Sequence, residues 1–276
     1  MTRKLFMIQA FLLLVCLSAF AQTAADVPYR DGAADGYARQ RCRLDIFSPD
    51  GAEDLPVVVY FHGGSLTGGD KSKAPKELLK TGFVVVSANY RLLPKEGAPE
   101  RGTTIDDCID DAAAAVAWTF RNISDYGGSP DKIFVAGHSA GGYLTDMIGL
   151  DKSWLQAYGI DADRIAGLIP FSGQVISHFA YRRTLGMSEL QPSIDPYAPL
   201  AHIRPDAPPI VIISADRERE LYGRYEETAY FWRLLKLVGH PDVSIYELQG
   251  FTHSNMLHPA VQILKDNVDR ILANPR

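Results

Sequence analysis

The pentapeptide Gly137-His138-Ser139-Ala140-Gly141 stands between an apolar run, 133–137, and a helix-like run, 140–150. The first run has the composition of a buried strand and the second that of a helix. A serine on so tight a strand-to-helix turn is held in a strained conformation, and its flanking glycines allow neighbouring elements to approach closely. The N–H groups at the start of the helix also favour an oxyanion there. The stretch therefore predicts a nucleophilic serine, Ser139.

Outward from this pentapeptide, short runs rich in Val, Ile and Phe alternate with longer amphipathic stretches. Such alternation is typical of parallel strands joined by crossover helices, so we expect an α/β fold with a mostly parallel central sheet and helices on both faces. The predicted strands are 42–48 (at an edge), 56–61, 83–89, 133–137, 165–171, 209–214 and 243–248. The predicted helices are 73–81, 104–122, 140–150, 222–238 and 259–273.

One connection, 173–207, breaks the alternation without a clear helical period. Connections of this length are uncommon and usually functional, so we expect a lid-like insertion, with a surface insertion of no special role as the alternative. Its aromatic and basic residues suit a loop that covers a pocket. The pocket-wall candidates, in and around it, are Tyr143, Gln174, His178 and Tyr181.

Composition limits the classes of function. A chain of 276 residues, 46% hydrophobic and 22% charged, is enough for one well-buried catalytic domain, which we place at 22–276. The formal net charge of -5 and the absence of a Lys and Arg run argue against a nucleic-acid partner.

The N-terminus has the pattern of a targeting segment. Arg3 and Lys4 precede an apolar run, 5–20, and Ala19-Phe20-Ala21 supplies the small residues of a cleavage site. We expect a signal peptide at 1–21 and a secreted or periplasmic mature protein with no stable membrane anchor. The alternative is a retained membrane anchor, but a membrane span needs roughly 20 apolar residues and the run 5–20 is shorter than that.

Removal of the signal would leave two cysteines, Cys42 and Cys108. An oxidising compartment permits a disulfide between them, and two buried free thiols are the alternative. No Cys-x-x-Cys or His-x-x-x-His spacing suggests a metal site.

The segment His62-Gly63-Gly64-Ser65 directly follows the predicted strand 56–61. This is where the second half of an oxyanion hole lies when the nucleophile has the flanks described above. We therefore expect the donors to be the backbone N–H groups of Gly63, Gly64 and Ala140, a simple turn being the alternative.

A serine hydroxyl needs a base to take its proton, and in this arrangement the acid and then the base follow the serine. His253 stands just after the last predicted strand and before the final helix, which makes it the expected base. Asp216 follows the strand 209–214 by two residues and is the expected partner of His253. Glu218 and Glu220 are rivals in the same loop.

Five segments together resemble a known family: HGGSLTGGDKS (62–72), GHSAGGYLT (137–145), PFSGQ (170–174), ADRERELYGRYEET (215–228) and GFTHSNM (250–256). They resemble the promiscuous feruloyl and acetyl esterases that act on plant xylan, within the α/β-hydrolase superfamily. The serine and glycine motifs are shared with hormone-sensitive-lipase-like carboxylesterases and arylformamidases. In relatives with three glycines after the histidine of this motif, the third glycine stands at the position of Ser65.

The resemblance implies the α/β-hydrolase fold and attack by Ser139 on a carboxylic ester. His253 would protonate the departing sugar alcohol, and water would hydrolyse the acyl-enzyme, with no cofactor. The substrate would be an acetyl or feruloyl ester on a xylan oligosaccharide. Alternatives are a general carboxylesterase or lipase, an exported peptidase, and a non-catalytic binding module.

Overall fold

The fold is built on one eight-stranded sheet, in the order β1-β2-β4-β3-β5-β6-β7-β8. The structure is a computed structural model and describes residues 22–30, 32, 35–95 and 102–274. The strands are β1 Gln22–Pro28, β2 Arg43–Phe47, β3 Leu55–Phe61, β4 Val84–Ala88, β5 Gly128–His138, β6 Gly167–Phe171, β7 Ile210–Ala215 and β8 Val243–Leu248. The pairings of β1 with β2 and of β2 with β4 are antiparallel, and those from β4 through to β8 are parallel.

Seven α-helices surround this sheet in the described part of the chain. They are α1 Gly36–Arg41, α2 Ile105–Asn122, α3 Ala140–Leu150, α4 Lys152–Gln156, α5 Phe179–Thr184, α6 Arg224–Leu237 and α7 Leu257–Ala273. Helix α2 begins with a capping box, because the Thr104 side chain accepts from the Asp107 backbone and the Asp107 side chain accepts from Thr104.

Successive residues of the central strands point alternately into two hydrophobic cores, one on each face of the sheet. Val57 and Val59 of β3 face one core, which includes residues of α2, α3 and α6, whereas Val58 and Tyr60 face the other, which includes residues of α7. Strand β4 is buried along its whole length, as expected for a parallel strand covered on both faces. The sheet with helices on both faces confirms the predicted fold class, and its parallel strands end together at one edge.

Several local features differ from the expectations, among them the short helices α1 and α4, which were not predicted. Strand β1 was not predicted, because most of its side chains are exposed and its pairing with β2 is irregular. The predicted helix 73–81 is wrong: two short 3₁₀ turns, Lys71–Lys73 and Leu78–Lys80, occupy this stretch, which contains Pro75. The insertion 173–207 contains the helix α5, which showed no clear period in the sequence.

Cys42 and Cys108 are both buried and both free thiols, which confirms the second of the two alternatives. Burial and the nearby Asp111 carboxylate raise the pKa of Cys42 to about 12, so this thiol stays protonated at neutral pH. The predicted signal peptide at 1–21 lies outside the described residues. Within the residues that are described, no helix is long and apolar enough to cross a membrane.

Candidate active site

Ser139 occupies the sharp turn between β5 and α3. Its φ of 57° and ψ of -113° are unusual for a residue with a side chain, and the residue is 6% exposed. The Ser139 N–H donates to Phe171 O at 2.8 Å, which fixes the turn against the end of β6. A Cβ atom on Gly141 would lie 2.0 Å from Phe61 O, so only glycine allows α3 to start this close to β3.

Glu220 is the carboxylate that bonds the histidine. His253 Nδ1 lies 2.5 Å from Glu220 Oε1, and the two side chains are 12% and 1% exposed. The other oxygen, Oε2, accepts from the Ser172 hydroxyl at 2.5 Å, and Oε1 also accepts from the Leu221 N–H. A buried carboxylate with these partners holds Nδ1 protonated and leaves Nε2 of His253 free to act as a base.

The expected role of Asp216 is therefore wrong. Its carboxylate accepts from the backbone N–H groups of Gly250 and Glu218, at 2.6 and 2.9 Å, and these bonds lower its pKa. Asp216 follows β7 immediately and ties the 216–223 loop to the loop after β8. The chain then turns back, so that the carboxylate four residues further on reaches His253. Glu220, a rival in the sequence, has the position that Asp216 was expected to fill.

The electrostatic environment keeps Glu220 ionised. Burial, the largest influence, raises the pKa of Glu220, but the hydrogen bond and charge of His253 and the Ser172 hydroxyl outweigh it and lower the pKa to about 2. The carboxylate is therefore negative at any pH where an esterase would work, and it stabilises a positive charge on His253.

A second histidine, His138, holds the His253 loop beside the serine turn. His138 Nε2 donates to His253 O at 2.7 Å, and the two rings lie 4.7 Å apart. Burial, followed by the charge of His253, lowers the pKa of His138 to about 4, so this ring is neutral at neutral pH. In the sequence, His138 stands out only as the second residue of the serine pentapeptide. No sequence signal identifies its partner, which is 115 positions away.

The expected oxyanion loop lies next to Ser139. A Cβ atom on Gly63 would lie 3.4 Å from Ser139 Cβ, so the Gly63 backbone borders Ser139. Gly64 has a φ of 123° and its carbonyl accepts from Thr67 and Gly68, which turns the chain sharply. The first N–H groups of α3, including that of Ala140, have no partner within the helix. These positions suit the expected donors, whose role stays a prediction.

Buried His62 fixes this loop. Its Nδ1 donates to Gly63 O at 2.8 Å, and its Nε2 accepts from Arg41 Nη2 at 3.3 Å. The ring stacks on Tyr90 at 4.4 Å, and the Tyr90 hydroxyl donates to His62 O. Burial lowers the pKa of His62 to about 4, which keeps the ring neutral at neutral pH. One ring nitrogen can then donate to Gly63 O while the other accepts from Arg41.

Most of the expected pocket-wall residues are buried and form hydrogen bonds with backbone groups of the insertion 173–207. Tyr143, Gln174 and His178 are buried: Tyr143 donates to Tyr197 O, Gln174 accepts from Phe179 N, and His178 caps α5. The expectation that these three line an open pocket is wrong, because their surfaces are covered by protein. Tyr181, which is partly exposed, packs edge-on against Tyr197 at 4.9 Å, and its role at the pocket wall stays a prediction.

Arg182, a buried residue of α5, organises the insertion itself. Its guanidinium donates to Ser177 O at 2.9 Å and to Glu189 O at 2.6 Å, so the stretches just before and just after α5 are tied to one side chain. The Tyr222 hydroxyl donates to Glu189 Oε2 at 3.2 Å, which joins the insertion to the loop that carries Glu220. The segment 173–207 thus contacts the loop that carries Glu220.

Comparison with known proteins finds relatives named as ester hydrolases. The family model described as BD-FAE matches residues 44–156, which include the segment 62–65 and the serine turn. A relative named probable carboxylic ester hydrolase LipM, from Mycobacterium tuberculosis, is 29% identical over 67% of this chain and 48% of its own length. Esterase LipQ from the same organism is 26% identical over 85% of this chain and 58% of its own length. The chain thus spans about half the length of these curated relatives.

Solved structures share the fold over nearly the whole chain. A truncated carbohydrate esterase from gut microbiota superimposes with a TM-score of 0.73 at 16% identity, covering 92% of this chain and 98% of its own. The butyrate-bound esterase Est2 of Thermogutta terrifontis gives a TM-score of 0.70 at 18% identity, covering 90% and 94%. Together with the sheet order, these matches establish the α/β-hydrolase fold. The family model and the sequence relatives confirm the resemblance to carboxylic ester hydrolases.

Proposed function

We propose that this α/β-hydrolase is a serine esterase in which Ser139 is the nucleophile, His253 the general base and Glu220 the residue that orients His253. The observation that carries the proposal is the 2.5 Å hydrogen bond between His253 Nδ1 and buried Glu220, formed beside the strained serine turn. A histidine with a partly exposed side chain, bonded to a carboxylate with a buried one, matches the roles required for acyl transfer next to such a serine.

In the proposed reaction, the Ser139 hydroxyl gives its proton to His253 Nε2 as its oxygen attacks the ester carbonyl. The N–H groups of Gly63, Gly64 and Ala140 stabilise the resulting oxyanion, at about 3 kcal/mol per donor in related chemistry. The protonated His253 then gives its proton to the departing alcohol. Water, activated by His253, releases the acid and restores Ser139.

For the substrate, we propose acetyl or feruloyl esters of xylan oligosaccharides. The shared fold with a structure titled as a carbohydrate esterase from gut microbiota supports a carbohydrate ester. The structure of a bifunctional GH43-CE of Bacteroides eggerthii has the same fold, at a TM-score of 0.69 and 18% identity, covering 90% of this chain and 38% of its own. The sugar of such an ester departs as an alcohol, which takes up a proton as its bond to the acyl group breaks. Protonated His253 can supply that proton.

A general carboxylesterase acting on short aliphatic esters is the second candidate. It is favoured by relatives named simply as carboxylic ester hydrolases and by the fold neighbour solved with butyrate. The lipase variant of this alternative would act on longer acyl chains.

A substrate comparison separates these candidates. Rates would be measured on acetylated and feruloylated xylo-oligosaccharides, p-nitrophenyl butyrate, a long-chain p-nitrophenyl ester and a peptide anilide, with Ser139→Ala as the blank. The proposal predicts the highest kcat/KM on one of the two sugar esters. Inactivity on both sugar esters with good turnover of p-nitrophenyl butyrate would contradict the proposed substrate but support the proposed esterase activity. Turnover of the anilide alone would indicate a peptidase.

We also propose that the chain is exported with removal of residues 1–21, on the basis of Arg3, Lys4 and the apolar run that follows them. N-terminal sequencing of the mature protein is expected to give Gln22 as its first residue. A mature chain that still begins at Met1 would contradict cleavage.

A further inference from the structure

Ser172 is a buried serine in an unusual backbone conformation, directly after β6. It has no exposed surface and its φ is 45°, which is uncommon for a residue with a side chain. Its hydroxyl lies 2.5 Å from Glu220 Oε2, on the side of the carboxylate away from His253. The strained conformation thus coincides with a contact to the proposed catalytic carboxylate.

The direction of this hydrogen bond follows from its neighbours. The Ala215 N–H, which can only donate, points at the Ser172 oxygen at 3.3 Å. The hydroxyl proton is therefore directed to an acceptor, and ionised Glu220 is a stronger one than the Met256 sulfur 2.9 Å away. Ser172 thus donates to Glu220, which favours the charged form of that carboxylate.

The Ser172 backbone is held on both sides. Its N–H donates to Ile213 O in β7 at 2.7 Å, and its carbonyl accepts from Arg224 Nη1 at 2.6 Å. Arg224, the first residue of α6, is completely buried. The preceding carbonyl, that of Phe171, accepts from the Ser139 N–H. The same turn therefore contacts both the serine turn and the carboxylate of the proposed triad.

We propose that Ser172 is a positioning residue that fixes the orientation of Glu220 towards His253, with Arg224 holding the Ser172 turn in place. This inference rests on the proposed esterase function. Glu220 Oε1 bonds His253 and Oε2 bonds Ser172, so both oxygens have assigned partners and the carboxylate plane is fixed. Without the hydroxyl, the carboxylate can rotate and lose its alignment with His253 Nδ1.

The test compares two ways of removing this hydroxyl. Ser172→Ala keeps the Cβ and hence the backbone strain, whereas Ser172→Gly removes the hydroxyl and also relieves the strain at positive φ. The matched control is Ser214→Ala, because Ser214 is equally buried, precedes Ala215, and its hydroxyl has no hydrogen-bond partner among the described residues.

Kinetics and NMR would be measured on all variants. On p-nitrophenyl acetate, both Ser172 variants are expected to lower kcat about 10- to 100-fold with little change in KM, since a hydrogen bond to a charged group is lost. The second readout is the proton on His253 Nδ1 in protein labelled with ¹⁵N-histidine. Its downfield resonance is expected to shift upfield or broaden away in both variants, and to stay in place in Ser214→Ala.

Several results would overturn the positioning role. One is an unchanged resonance and kcat in both Ser172 variants, and another is a wild-type kcat in Ser172→Gly with a reduced kcat in Ser172→Ala. A third is an equal loss of kcat in Ser214→Ala. The fourth is a wild-type protein without the downfield resonance. The resonance reports on the Glu220–His253 bond without any substrate. A wild type that hydrolyses no ester would therefore contradict the proposed function, while the resonance still tests Ser172.

Discussion

Three carboxylates in one loop, all within five residues, have different surroundings. Glu220 is buried against His253, Asp216 accepts two backbone N–H groups, and Glu218 is exposed. Distance along the chain from β7 favoured Asp216, but the loop reverses direction before it reaches the histidine. The reversal depends on contacts such as the bond from Asp216 N to Phe251 O, which joins residues distant in sequence. Such contacts explain why the sequence identified the loop and not the residue.

At this scale we predict opposite outcomes for two conservative substitutions. Glu220→Gln keeps the shape of the side chain but removes the charge, and should lower kcat by about 10³- to 10⁴-fold, as in serine hydrolases whose orienting acid is made an amide. Asp216→Asn should stay within a few-fold of wild type. Steady-state rates on p-nitrophenyl acetate check both, and a larger loss in Asp216→Asn than in Glu220→Gln would restore Asp216 as the catalytic acid.

At the scale of elements, the site depends on how closely β3, β5 and α3 approach one another. The serine pentapeptide predicted the strand, the turn and the helix, because glycine, strand and helix preferences all agree there. The turn is tight: a Cβ atom on Gly137 would lie 2.4 Å from the Gly141 carbonyl carbon. The insertion 173–207 was predicted only as an irregular connection, because α5 depends on Arg182 and its distant backbone acceptors rather than on local preference.

Substitution of the turn glycine tests this close approach. Gly141→Ala places a methyl group 2.0 Å from the Phe61 carbonyl oxygen, so β3 and α3 must separate. We expect a loss of about 1–3 kcal/mol or more in the free energy of unfolding, with reduced activity. The control is Gly36→Ala at the start of α1, where the nearest atom is the flexible end of Arg39 at 3.7 Å. Urea unfolding should show no significant loss for the control, and equal stability of the two variants would contradict the packing argument.

At the scale of the whole molecule, buried neutral histidines couple the site to stability. His62 holds the loop at Gly63 and His138 holds the His253 loop. Burial lowers the pKa of each ring to about 4 in the folded protein. The ordinary histidine pKa of about 6.5 applies to the unfolded chain, so the unfolded state binds more protons between these values. Their contribution to stability is therefore complete above about pH 6.5 and is lost as the pH falls towards 4.

We therefore predict that the free energy of unfolding decreases from pH 6.5 to pH 4.5, by about 2 kcal/mol for each of these two rings. His138→Gln removes one of them and should make the decrease about 2 kcal/mol smaller, although the variant starts from a lower stability at neutral pH. Urea unfolding of both proteins at the two pH values measures this difference. Parallel decreases would show that His138 is not a neutral buried group.

The central claim is that Ser139 becomes acylated with the help of His253 and Glu220. Rapid quenching during turnover of p-nitrophenyl acetate, followed by mass spectrometry of peptides, measures it most directly. The account predicts one acetyl group, on the peptide that contains Ser139, and none in Ser139→Ala, which should also lose ester turnover. Acetylation at another residue, or wild-type turnover by Ser139→Ala, would contradict the mechanism.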